Sequence, residues 1–162
     1  MELVGPLPAS ENVKTLLEKF RTQNLPVIHI QHAGVSPDAT FFLPGTEGAE
    51  IHPNVQPLAG EKVITKYYPN SFRETDLLEH LQGLDIKDLV ITGMMTHMCI
   101  DATTRAARDF GFECTVIGDA CATRDLEVNG AHVKAADVQT AFLGALAFFY
   151  ANIQTTKQYL AA

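Results

Sequence analysis

Cys99 is the residue best placed to do covalent chemistry. It follows Gly93-Met94-Met95-Thr96-His97-Met98 and stands between two stretches of different period. Before it, Leu89-Val90-Ile91-Thr92 is an unbroken β-favouring run of the kind buried on both faces of a parallel sheet. After it, Ile100, Thr103, Thr104, Ala107 and Phe110 keep helical spacing, and Gly111 sits where a helix would stop. A second β run, Cys114-Thr115-Val116-Ile117, comes next. Cys99 is therefore expected at the C-terminal end of a strand, in the first turn of a helix, where ligands of open α/β sheets sit. Unpaired N–H groups and a partial positive charge there favour a thiolate and can hold an oxyanion. A cysteine without such placement is most often a small buried apolar residue.

The elements that must position Cys99 can be read along the chain. Residues 1–9 read as a loop, Ser10 as an N-cap, and Val13, Leu16, Leu17 and Phe20 as the apolar face of a helix running to about Gln23. Asn24-Leu25-Pro26 ends it, and Val27 to His32 is a strand. Residues 33–61 form a long irregular segment carrying Phe41, Phe42 and Leu43, read equally well as a functional lid or assembly surface and as a self-packed excursion. Lys62 to Lys66 is a short strand, 67–72 a turn, and Ser71 or Thr75 caps a helix carrying Leu77, Leu78, Leu81 and Leu84. Beyond the Cys99 unit, residues 118–130 read as a loop. A helix then starts near Ala135–Asp137, with Ala141, Phe142, Ala145, Leu146 and Phe149 on one face. Ile153 to Leu160 adds a small edge strand and a last turn. Alternating strands and helices make an α/β chain, and residues 1–162 read as a single domain.

The run Gly93-Met94-Met95-Thr96-His97-Met98-Cys99-Ile100-Asp101-Ala102-Thr103-Thr104-Arg105-Ala106-Ala107, with Gly118-Asp119-Ala120-Cys121-Ala122-Thr123 after it, resembles the signature of isochorismatase-like cysteine hydrolases. The resemblance implies a three-layer, Rossmann-like parallel sheet flanked by helices. It makes Cys99 the nucleophile, places a non-proline cis peptide at Met94–Met95, and assigns the oxyanion hole to the backbone N–H groups of Met95 and Cys99. Lys66-Tyr67-Tyr68-Pro69-Asn70-Ser71-Phe72 is similar to the segment bearing the family's catalytic lysine, so Lys66 takes that role. A cation there would lower the thiol pKa. His97 and Phe72 are candidate pocket residues, with His97 equally suited to capping the helix. The chain departs from the family in one respect: no D-x-Q strand precedes Ser10, so the catalytic Asp and the first, central strand are absent from this chain. That leaves a slot whose unpaired buried groups would cost about 1–3 kcal/mol each. The expectation is a fragment of a longer protein, neighbouring strands that close up, or another chain filling the gap. Asp101 would point about 200° away from Cys99, and Asp119 is better placed as a substitute.

The implied activity is hydrolysis of the C–N bond of a small-molecule amide through a Cys99 thioester, in doubt without the Asp. The alternative is a non-catalytic structural or assembly member of the same fold. A redox role for Cys99 would need Cys121 within reach, whereas Cys114 and Cys121 otherwise read as inert. The resemblance also implies a homo-oligomer, dimer or tetramer, with Phe41–Leu43 and Phe148-Phe149-Tyr150 as apolar interface.

Composition limits the other classes. A net charge of −7 without a basic run argues against nucleic acid. Leu143 to Ala151 is too short to span a bilayer, and the start lacks a signal-peptide pattern. Three cysteines without paired spacing fit a cytoplasmic protein. His29, His32, His52 and Asp38 raise a metal site, but His29 and His32 fall on opposite faces of a strand. The D-x-H pair of zinc-binding relatives is also absent at Ile30-Gln31-His32. No metal and no cofactor are expected.

Overall fold

Pro6 and Gly5, not Ser10, open the first helix. Gly5 adopts the left-handed backbone (φ 68°) and Pro6 takes the first helical position, where its lack of an N–H costs nothing, so α1 runs Pro6–Thr22. Ser10 lies one turn inside, its hydroxyl donating to the Leu7 carbonyl at 2.8 Å. The computed structural model describes residues 2–34 and 39–162; Asp38, one of the metal candidates, lies outside the described residues.

The remaining elements follow in order: β1 (Ile28–His32), β2 (Lys62–Lys66), α2 (Leu77–Gly83) and β3 (Asp88–Met94), then a π-type turn (Thr96–Ile100) leading into α3 (Asp101–Asp109). They continue with β4 (Glu113–Ala122), β5 (Leu126–Val128), β6 (Ala131–Val133), α4 (Ala135–Phe149), β7 (Asn152–Gln154) and α5 (Thr156–Ala161). The stretch expected to be a loop after Ile117 instead continues β4 to Ala122 and adds the antiparallel β5–β6 hairpin. Asn129 and Gly130, both at positive φ, make that hairpin's turn, a dipeptide whose type favours it. α2 begins after Asp76, which makes no side-chain capping bond; Thr75 accepts from the Leu77 N–H at 3.4 Å and donates to the Ser71 carbonyl.

The layers are those of a three-layer α/β protein. α2, α3 and α4 cover one face, where Ile64, Phe72, Leu77, Leu81, Ala107, Phe112 and Cys114 form one cluster and Ile100, Val116, Cys121 and Leu146 another. α1 and α5 cover the other, packing Leu16 and Tyr159 against Ile117, Ala120 and Val90. A capping box between Thr155 and Gln158 starts α5.

The parallel strands fall into two groups, β1–β2 and β3–β4–β7, and no ladder joins β1 to β3 among the described residues. Between them lies a cavity of about 730 Å³ lined by residues of both strands. The apolar run of β3 is consequently only half-buried, against the expectation of burial on both faces, whereas Val116 and Ile117 of β4 are fully buried.

One polar cluster ties α1 to the smaller sheet. Glu61, just before β2, accepts from Arg21 Nε (2.7 Å) and Nη2 (2.8 Å), from the Leu58 N–H (2.8 Å), and bonds His29 Nε2 (2.8 Å). The Arg21 guanidinium is the chief cause that holds the Glu61 carboxyl at about 2 in place of 4.5. A carboxyl depressed in this way stabilises the fold above pH 4.5, and that contribution is lost as pH falls toward 2. It is on the order of 3 kcal/mol. Glu61→Gln is expected to lower urea-unfolding stability at pH 7 by roughly that amount, with the difference from wild type shrinking toward pH 2. A gap that does not change with pH would show that charge is not what the cluster contributes.

Candidate active site

β1 and β2 pair in parallel with His32 directly opposite Lys66, so two titratable side chains lie together at the C-terminal strand ends. Lys66 is 3% exposed. Its ammonium donates to the Pro69 carbonyl (2.7 Å) and to Ser71 Oγ (3.1 Å), both supplied by the turn after β2. Ser71 in turn bonds Thr103 of α3, hydroxyl to hydroxyl at 2.9 Å and N–H to Oγ1 at 3.1 Å. The lysine is thus held by a chain of polar contacts reaching the helix that follows Cys99. Burial pushes the Lys66 pKa below its ordinary value, and the nearby Cys99 sulfur, by charge and hydrogen bonding, works against that shift.

Cys99 is half-buried in the π-type turn, not yet in the regular helix. The turn closes on Met95, whose carbonyl accepts from the N–H groups of Met98 (3.1 Å) and Ile100 (3.3 Å). Such turns concentrate at functional sites because they re-aim one side chain. Gly93, at φ 125°, lets β3 shift register against β4 just before it, a conformation closed to other residues. The Met94–Met95 peptide is cis, where the resemblance places it. Thr96 is fully buried; its hydroxyl donates to Gln139 Oε1 at 2.6 Å, and Gln139 Nε2 donates to the Gly118 carbonyl at 2.9 Å. A glutamine of α4 therefore fastens the turn to β4.

Facing Cys99 is His32, with Nδ1 3.9 Å from Sγ. Its ring stacks on Phe42 at 5.1 Å, which assigns the irregular segment a part in the site wall: Phe42 faces inward while Phe41 and Leu43 remain exposed. The Gly34 N–H donates to the Phe42 carbonyl (2.8 Å) and pins that segment beside β1. Burial, and then the charge of Lys66, lower the His32 pKa from its ordinary 6.5, so the ring is neutral at pH 7. Sequence reasoning did not select His32 for this role. The signal available was the one it used against a metal site, that His29 and His32 diverge; His29 goes to Glu61 and His32 to Cys99.

The other candidates disperse. Phe72 is buried, stacks on Phe112, and lines the cavity shared with Cys99 and Lys66. His97 turns away from that cavity: Nδ1 lies 2.5 Å from Thr123 Oγ1 and the ring packs on Phe142. Asp101 pairs with Arg105 on α3, and Asp119 accepts from the Thr156 N–H and hydroxyl at the start of α5, so neither replaces the family's Asp. Cys114 and Cys121 are buried in the core, and all three cysteines are free. No group of three or more His, Cys, Asp or Glu side chains placed to hold a metal occurs among the described residues.

A three-layer α/β fold with a half-buried cysteine at a strand-to-helix turn, beside a buried lysine, is the class that fold and site define. The isochorismatase domain model matches residues 7–154, and the chain belongs to that family. It is 48% identical over 160 residues to the uncharacterised isochorismatase family protein YddQ of Bacillus subtilis, covering 99% of this chain and 89% of that protein. The crystal structure of an isochorismatase-type hydrolase from Oleispira antarctica superimposes with a TM-score of 0.95 at 54% identity, covering 99% of this chain and 84% of that one. Nicotinamidase 3 of Arabidopsis thaliana is 29% identical over 136 residues, covering 76% of this chain and 69% of that protein.

Burial pushes the thiols of Cys114 and Cys121 up to about 11 and about 12. Iodoacetamide at pH 8 is therefore expected to label Cys99 alone in the native protein and all three cysteines in denaturant, as located by peptide mass. Native labelling of Cys114 or Cys121 at a comparable rate would contradict the packing around them.

Proposed function

We propose that the chain hydrolyses the C–N bond of a small amide through a thioester on Cys99. The observation that carries this reading is the meeting of Cys99, Lys66 and His32 in one cavity. Cys99 Sγ attacks the amide carbonyl carbon while its proton passes to His32 Nδ1, which is neutral at pH 7 and free to accept it. The resulting oxyanion is held by the N–H groups of Met95 and Cys99, and the Lys66 ammonium stabilises the negative charge that develops beside it. Collapse breaks the C–N bond, the leaving amine takes the proton from His32, and a thioester remains. Water, giving a proton to His32, attacks the thioester; the acid leaves and the thiol is restored. Phe42 and Phe72 give the cavity aromatic walls suited to an apolar or flat acyl group. The names of two relatives, nicotinamidase 3 and the streptothricin hydrolase of Streptomyces noursei, support hydrolysis of this kind.

A second reading rests on a specific observation. Among the described residues no carboxylate hydrogen-bonds or ion-pairs with Lys66 or Cys99, so a non-catalytic structural or assembly member of the family is the alternative. The exposed Phe148 and Phe149 at the end of α4, with Phe41 and Leu43, support a homo-oligomer on either reading, which light scattering measures. Three free cysteines support a reducing, cytoplasmic setting. No helix among the described residues is long and apolar enough to cross a membrane.

A screen of small primary amides, read by ammonia release, separates the two readings. Turnover is expected in wild type and not in Cys99→Ala, with intact-mass detection of an acyl adduct on Cys99; turnover that survives in Cys99→Ala sinks the thioester reading. Lys66→Met is expected to lower kcat about 100-fold or more. Because His32 acts unprotonated and its pKa lies below 6.5, kcat/KM should fall on acidification only below that pH. His32→Asn should remove this acid limb.

A further inference from the structure

Just past the end of β1 the chain changes partners. The Ala33 N–H still donates to the Lys66 carbonyl at 2.9 Å, but the Gly34 N–H donates to the Phe42 carbonyl at 2.8 Å. That approach is close enough to require glycine. A Cβ at Gly34 would lie 2.6 Å from the Phe41 carbonyl oxygen and 3.2 Å from the Ala39 Cβ. Phe42 itself stands at φ 56°, a left-handed backbone that a bulky side chain enters only when its surroundings enforce it. Both features lead to one contact. The Phe42 ring lies over the His32 imidazole, centroids 5.1 Å apart and planes 23° from parallel, and Phe41 braces the phenyl ring edge-on at 5.2 Å. The imidazole held in this way carries Nδ1 3.9 Å from Cys99 Sγ.

We propose that Phe42 is a positioning residue: its ring holds the His32 imidazole with Nδ1 turned toward the Cys99 sulfur. The proposal rests on the reading of Cys99 as nucleophile and His32 as its base. An imidazole turns about two side-chain bonds, and a flat neighbour stacked on it limits that freedom. Lys66, opposite His32 on β2, gives its ammonium to Pro69 and Ser71 and not to the ring. The charged or titratable groups that act on the imidazole are Lys66 from β2 and Cys99 from the turn after β3; the Tyr67 backbone also bonds it. Phe42 brings no charge, so it acts by covering one face of the ring. That cover is part of the burial that leads in lowering the His32 pKa. A phenyl face also attracts an imidazolium, but with burial as the leading cause, uncovering the ring raises the pKa toward 6.5. Strain kept at a bulky residue is accounted for by the contact it makes, and here that contact is with the ring that faces the nucleophile.

The test reads His32 directly. Its Hε1 proton is assigned by comparison with His32→Asn and titrated by NMR, with His97 as the internal reference. Phe42→Ala is expected to raise the His32 pKa toward 6.5 and leave that of His97 in place, while Phe42→Tyr keeps the wild-type value. Gly34→Ala, which displaces the segment but leaves the phenyl ring on it, should reproduce the Phe42→Ala shift. Glu47→Ala, exposed on the same segment, should titrate as wild type does. Circular dichroism of each variant should match wild type, since Gly34 and Phe42 lie outside the helices and strands. The second measurement is iodoacetamide labelling of Cys99 at pH 7. Phe42→Ala is expected to slow it about 10-fold when His32 is present and to have no effect in the His32→Asn background, because the residue acts through that ring. A His32 pKa that stays unchanged in both Phe42→Ala and Gly34→Ala overturns the proposal. So do labelling losses that simply add in the double variant, which would make Phe42 a packing residue alone. Neither readout depends on turnover. An absence of amide hydrolysis with both effects present would count against the hydrolase reading and leave the assignment of Phe42 supported.

Discussion

Keeping one ammonium out of water is the constraint around which the site is arranged. Lys66 is almost wholly enclosed, and a buried cation is tolerated only when its donors find acceptors. The Pro69 carbonyl and Ser71 hydroxyl supply them, Thr103 holds Ser71, and Thr103 belongs to the helix launched by the Cys99 turn. Satisfying Lys66 therefore fixes the distance between the β2 end and the β3 end, and so the distance between cation and thiol. The same enclosure has an electrostatic consequence. The Lys66 charge adds to the effect of burial on His32, directly across the ladder, and keeps that ring neutral beside the sulfur. Burial first, and the Lys66 charge second, thus hold the neighbouring His32 pKa below its ordinary value.

Division of the parallel strands into two groups is the other defining feature. Among the described residues no ladder joins the groups, and helical layers and polar contacts cross between them. Phe72, Leu77 and Leu81 pack on Ile64 of the smaller sheet as well as on the Phe112 and Cys114 region of the larger one. Glu61 draws α1, which lies on β4, onto β1 through Arg21 and His29. The Lys66–Ser71–Thr103 chain makes a third crossing at the strand ends. Among the described residues, side-chain packing and charge thus link the β1 and β3 groups. It also leaves the C-terminal ends of β1, β2 and β3 gathered around one mouth, which is where Cys99 sits.

Much of this was legible in the residue order because it depends on local period. β2 appears with the expected bounds and α4 with the expected start, although of the apolar face read for α4 only Leu146 is buried and Phe142 half-buried, while Ala141, Ala145 and Phe149 are exposed. The placement of Cys99 after a strand and before a helix needed only the change of period at that point. The start of α1 was misplaced because Pro6 and Gly5 act through fixed φ and left-handed backbone, and Ser10, a good cap by type, was a turn too late. The extension of β4 and the β5–β6 hairpin were hidden by Gly118, Asp119 and Asn129-Gly130, which read as loop residues though only the last pair makes a turn.

What the sequence by itself determined is the class: an α/β chain, a cysteine at a strand-to-helix turn, and a family signature long enough to place Lys66 with it. These are properties of neighbours along the chain, where spacing and propensity carry the physics. Tertiary structure decided which side chains complete the site. His32, Thr103, Gln139 and Phe42 gain their roles from contacts with residues distant in sequence, and His97, adjacent to Cys99 in sequence, loses its candidate role to a bond with Thr123. Parallel register explains the difference. It brings His32 opposite Lys66 through pairing of strands separated by a long irregular segment. Such pairing is set by packing across the whole fold and not by the residues on either side of a position.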